Sequence, residues 1–184
     1  MNTRILGIFC IAASVIAIVG SLGFQVNFEN PNENPNIAIA WATGLPWDIS
    51  VVAVLVDLIL GNGVGSNPLV RAVASLPIIG LGFNIVVEFV ELTGVGSPDN
   101  VLQTIGILGF VAGLVLVSIL TIAAKTWRGW RRFVPLLVTL MLFAGQLIAN
   151  RYVGQAVVIA PWVLLGYVVA TASPEPEPAQ SATA

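Results

Sequence analysis

Asn84, Glu88 and Glu91 are the residues of this sequence whose types and spacing best suit chemistry. They interrupt a long apolar run. An ionisable group near the centre of a bilayer costs at least about 2.5–3.5 kcal/mol even on insertion scales, so such groups face an interior or a watery cavity. At about 100° per residue, positions 84, 88 and 91 fall within roughly a 60° sector of one helix. The apolar neighbours Phe83, Ile85, Val86, Val87, Phe89 and Val90 can cover the remaining faces. The stripe therefore predicts contact with a cation, or with a cationic or hydrogen-bonding solute. Glu88 is the deeper acid and Glu91 lies a turn nearer the surface, while Asn84 offers both a donor and an acceptor further in. The plainer reading is a hydrated helix end with no ligand.

Asp57 and Arg71 form the second candidate group. The glycine-rich turn between them, Gly61 to Pro68, brings two helix ends together, so an ion pair of structural purpose is expected there. That turn lacks the Lys-Ser/Thr ending of a phosphate-binding loop. Gln146 sits inside another apolar run, where an interhelical hydrogen bond is its expected role. With no His and a single Cys, Cys10, the familiar zinc constellations, a His-held haem and an intrachain disulfide are all excluded. No cofactor and no metal are expected.

The elements that must carry these residues follow from composition. Hydrophobic residues make up 57% of the 184 and charged residues 9%, against roughly 45–50% and 25% in an average soluble domain. An all-α integral membrane protein, a polytopic bundle of six transmembrane helices occupying residues 1–172, is the expected fold class. Ile5 to Phe24 is the first span, too long an apolar stretch for the usual signal-peptide core. Ile37 to Leu60 is the second, with Pro46 expected to start its helix and Ile37 to Leu45 expected to lie at the interface. Leu69 to Leu92 is the third, started by Asn67-Pro68 and interrupted by Pro77. Val101 to Ala124, Phe133 to Asn150 and Gly154 to Ala172 complete the set. The Pro- and Glu-containing tail, 173–184, is expected to be disordered and cytoplasmic.

Lys and Arg test this layout, since cytoplasmic span ends carry an excess of them. Arg4, Arg71, Lys125, Arg128, Arg131 and Arg132 fall on one side and only Arg151 on the other. Both termini are then cytoplasmic in a cell membrane. The alternative is five spans plus a re-entrant or interfacial helix, the last apolar run being the one that turns back. The net charge of −2 argues against nucleic acid as a partner.

Small residues four apart let helices pack closely. Ala13, Ala17 and Ser21 form one such stripe, and Gly109 and Gly113 another. In size, span number and the Ala13, Ala17, Ser21 stripe, the chain loosely resembles the substrate-binding subunits of energy-coupling-factor vitamin transporters. That resemblance implies a solute-binding membrane component. A transporter or solute-binding component is accordingly the first functional expectation. A structural or accessory subunit, docking through the small-residue stripes to a membrane partner or a second copy, is the second. An intramembrane enzyme ranks third, because no nucleophile elbow or His-based motif is present.

Overall fold

The computed structural model describes residues 2–26, 37–61, 63–93 and 100–171. Every element among them is helical: α1 (Thr3–Gly23), α2 (Ile37–Leu60), α3 (Pro68–Ala74), α4 (Leu76–Thr93), α5 (Asn100–Ala124), α6 (Val134–Gln146) and α7 (Arg151–Thr171), with a 3-10 turn at Gly129–Phe133 before α6. Five stretches are long and apolar enough to cross a membrane: Thr3–Gly23, Trp41–Leu60, Pro68–Val87, Val101–Ala124 and Arg151–Thr171. The protein is an all-α polytopic membrane bundle. Only helices satisfy every backbone group within one segment, which is what a chain this apolar requires in lipid. The outer face of α1, with Ile5, Ile8, Ile16, Val19 and Leu22 exposed, is the surface that lipid would cover.

Local chemistry explains most of the boundaries. Asn2 caps α1 by accepting from the Arg4 amide at 3.1 Å, and Asn67 caps α3 by accepting from Leu69 N at 2.9 Å with Pro68 as the first helical residue. The third span breaks at Ser75, just before Pro77, as the position of that proline predicts. Lys125 ends α5 by adopting a left-handed φ of 54°.

Backbone contacts through glycine define the packing. Gly7 of α1 lies against Ala170 N and Gly166 O of α7, and at the other end Ser21 Oγ donates to Tyr152 O at 2.9 Å, so α1 and α7 are antiparallel over their full length. Gly80 of α4 lies against Phe110 N of α5, and Gly113 of α5 against the Pro77 ring. Gly145 and Gly154 bring α6 onto α7. Two groups result: α4 is seamed to α5, while α1, α2, α6 and α7 pack on one another. They close together near one end through Leu58, Val64, Ala74, Val117, Val134 and Val169. A buried hydrogen bond of 2.9 Å between Ser118 of α5 and Thr139 of α6 crosses the same junction. Removing it by Ser118→Ala should lower the unfolding free energy by only about 0.6 kcal/mol, the average for such bonds between membrane helices. A detergent-denaturation curve checks this.

Six of the seven Lys and Arg gather at that closed end. There Thr126 Oγ1 donates to Gly63 O at 2.9 Å, and Arg131 Nη1 to Thr171 O at 3.4 Å. The start of α1 and the finish of α7 share this basic end.

Three expectations need correction. Pro46 does not start a helix, because α2 runs unbroken from Ile37 with Pro46 inside it. One missing N–H is tolerated, and abandoning the preceding turns would leave many more backbone groups unsatisfied in lipid. The expected fifth span, Phe133 to Asn150, is instead a 13-residue helix ending at Gln146. Asn150 belongs to the next helix, which it caps by accepting from Tyr152 N at 3.1 Å and Val153 N at 3.2 Å. The short element is therefore the fifth, not the last: α7 is 21 residues long and does not turn back. The tail, 173–184, lies outside the described residues.

Candidate functional site

At the end opposite the basic one, the α4–α5 pair stands away from the other helices and leaves a vestibule of about 790 Å³. Its polar lining comes from five helices: Trp41 and Asp48 of α2, Asn84 of α4, Gln103 of α5, Gln146 of α6, and Arg151 and Gln155 of α7. Its depth is apolar, with Val51, Leu81, Phe110 and Ile159 as walls. That mixture, apolar walls with a few convergent polar groups, is the usual make-up of a small-molecule site.

Each polar group is positioned by its helix end or its packing. α6 stops at Gln146, and the four residues before α7 start Arg151 at the rim. The Arg151 guanidinium lies over the Tyr152 ring, 5.0 Å from its centroid, and Nη2 donates to the Tyr152 hydroxyl at 3.1 Å. Gln155 is almost fully buried, and its Oε1 lies 3.2 Å from Ser21 Oγ, which tethers the amide to α1. Asn84 stands over Gly106 of α5, where a Cβ would come within 2.6 Å of its Oδ1. Glycine at 106 is what lets this amide sit between the two helices.

Trp47 sets the inner wall. Its ring meets Trp162 edge-on, centroids 6.4 Å apart and planes at 90°, in the geometry aromatic quadrupoles favour. Trp162 is 2% exposed and anchors the centre of the bundle. Among the described residues, five buried polar side-chain atoms have no hydrogen-bond partner: Ser14 Oγ and Arg132 Nε elsewhere in the bundle, and Trp41 Nε1, Trp47 Nε1 and Asn84 Oδ1. The last three belong to residues that line the vestibule. Buried polar groups are ordinarily paired, so unmet capacity gathered on one cavity marks a place where a further molecule completes the bonding.

The expected site residues fare differently. Asn84 lines the vestibule. The side chains of Glu88 and Glu91 lie outside the described residues. Asp57 lies beside the Thr3 side chain at the start of α1, and Arg71 Nε donates to Gly65 O at 3.3 Å; their mutual ion pair stays an expectation. The rotation of α2 turns Asp57 toward α1, which adjacency across the turn could not reveal. Gln146 is exposed at the end of α6 and makes no interhelical hydrogen bond among the described residues, because its helix ends there. Ala13, Ala17 and Ser21 are at most 2% exposed, and Gly109 and Gly113 face α4, so both small-residue stripes are used inside the chain.

Asp48, Gln103, Arg151, Gln155 and Trp41 are site residues that the sequence reading did not single out. Arg151 had a signal, as the lone cation off the basic end. The others come together only through the fold. Among the described residues, no three His, Cys, Asp or Glu gather as a metal site would need. Compared with protein-family models, curated proteins and solved structures, the chain matches none.

Proposed function

We propose that this chain is a solute-binding membrane component, possessing one site in the vestibule between the α4–α5 pair and the remaining helices. The convergence of three unpartnered buried polar atoms on one cavity carries this reading. A bundle whose only task was packing would have little use for a 790 Å³ space lined by indoles, amides and two opposite charges. The accessory-subunit reading loses its main support, since the stripes that would have docked a partner are buried against the chain itself. Lys125, Arg128, Arg131 and Arg132 support an orientation with the basic end in the cytoplasm, by the positive-inside rule. In that orientation the vestibule opens away from the cytoplasm, and the start of α1 and the finish of α7 lie on the cytoplasmic side.

Cysteine accessibility tests both statements. In a Cys10→Ala background, single cysteines are placed at Gln103 and Gln146 in the vestibule, at Leu108 on the lipid face, and at Gly129 at the basic end. A membrane-impermeant, charged thiosulfonate is applied to intact cells. Gln103 and Gln146 positions should label, Leu108 should not, and Gly129 should label only after permeabilisation. Silence at both vestibule positions would remove the site, and labelling of Gly129 in intact cells would invert the orientation.

A further inference from the structure

We propose that the solute is an uncharged amphiphile, a hydroxyl- or amide-bearing head on a single apolar tail, which enters sideways from the lipid between α5 and α6. This rests on the solute-binding reading above and specifies its ligand.

The lining of the vestibule is layered. Trp41 and Arg151 open their spans at the end away from the basic one, Gln103 and Gln155 lie two and four residues inside theirs, and Asn84 stands over Gly106, five residues inside. At 1.5 Å per residue these polar side chains all lie within about 8 Å of the open end. Ile159, Phe110 and Val51 are eight, nine and ten residues inside their spans, which puts the apolar walls about 12–15 Å deep. A molecule that meets both layers has a polar head at the open end and an apolar body beneath it. The volume of about 790 Å³ falls within the roughly 300–1,000 Å³ of sites that hold one small molecule, so the body is a single tail.

The head is uncharged because the charges of the site are already answered. Asp48 and Arg151 are each engaged within the chain, and Gln155 is tethered to Ser21. What the fold leaves unanswered around the cavity is neutral: two indole N–H donors, at Trp41 and Trp47, and one amide acceptor, Asn84 Oδ1. A hydroxyl or a primary amide meets both kinds, since its oxygen accepts from an indole while its own O–H or N–H donates to Oδ1. A carboxylate offers only acceptors and an ammonium only donors, and either would bring an unbalanced charge into the membrane. All three side chains are half-buried and border the cavity, so a side-chain rotation brings each polar atom to the head.

The route is read from two residues. Ile107 of α5 and Phe143 of α6 line the vestibule and are 47% and 51% exposed. Ile107 lies six residues from Val101, about 9 Å inside that end of the span and thus within a hydrocarbon core of about 30 Å. A wall exposed at that depth opens onto lipid, where a single-tailed amphiphile already carries its head at the interface, level with Trp41 and Gln103.

The experiment is photolabelling of the full chain in lipid nanodiscs by a tetradecanol with a diazirine near the end of its tail, the adducts being located by peptide mass spectrometry. Label is expected on Val51, Phe110 or Ile159. Plain tetradecanol should displace it at a concentration at least about tenfold lower than tetradecanoate, tetradecyltrimethylammonium or tetradecane requires. Asn84→Leu and Trp41→Phe keep an apolar side chain and delete one hydrogen-bonding group, so each should raise the displacing concentration about three- to tenfold. Label confined to lipid-facing positions such as Leu108, equal displacement by a charged analogue or by tetradecane, or unchanged displacement in both variants would overturn the proposal. The competition on the unaltered chain decides the matter even where a variant does not fold. If the vestibule cysteines label while the photoprobe does not, the ligand class alone fails. If neither labels, the solute-binding reading fails with it.

Discussion

Gly80→Ala should lower the unfolding free energy by about 3 kcal/mol, while Gly82→Ala, two residues along the same helix, should leave it unchanged or raise it by about 0.5–1 kcal/mol. A Cβ on Gly80 would meet the Phe110 amide nitrogen and would come within 2.6 Å of Gly106 O and 2.8 Å of Gly109 C. These are backbone atoms of α5 with no rotamer to yield, so the two helices must separate. At Gly82 the added carbon meets nothing within 4 Å, and alanine brings only its better helix propensity. Without a hydrophobic drive between helices in lipid, backbone approach at small residues supplies much of the association. Denaturation in mixed micelles, followed by tryptophan fluorescence, separates the two variants. Equal destabilisation would mean that the α4–α5 seam does not depend on close approach at Gly80.

Trp162→Ala should cost about 3–5 kcal/mol, the range for removing a large aromatic from a packed interior. The ring is 2% exposed, meets Trp47 edge-on, and sits where the Trp162 carbonyl accepts the Cys10 thiol at 3.5 Å. Its loss leaves a void among α1, α2 and α7 that helices fixed by glycine contacts cannot close. Trp47→Ala should cost less, because that ring is only half-buried and one side of it already borders the vestibule. The same denaturation measurement checks the order. A Trp47 variant less stable than the Trp162 variant would place the anchor of the bundle on α2 instead of α7.

The membrane class and most of the spans were legible in the sequence, because hydrophobic run length is a direct statement about the bilayer. So were local signals that depend on one residue and its neighbours, such as the Asn67-Pro68 start and the break before Pro77. Pro46 was misleading for a physical reason: in water a proline can end a helix cheaply, but in lipid the helix is the only way to satisfy the preceding residues. Asn150 misled in the opposite sense, since a polar residue after an apolar run can close one helix or cap the next, and here it caps α7. The small-residue stripes revealed which faces pack closely but not against what, and Ala13, Ala17 and Ser21 turn out to be covered by the chain itself. Of the site, Asn84 was read as a binding residue and Gln146 only as a packing one. Asp48, Gln103, Arg151 and Gln155 stand on three different helices, and nothing along the chain states that α4 and α5 part from α6 at one end and meet it at the other.

The most direct test of the solute-binding vestibule is a high-resolution density map of the purified full chain in nanodiscs. The map should show α4 and α5 parted from α2, α6 and α7 at the end away from Lys125–Arg132, with non-protein density between Asp48, Asn84 and Phe110. A bundle closed along its whole length, with α5 packed on α6 from Gln103 to Ser118 and Asp48 turned toward lipid, would contradict the account.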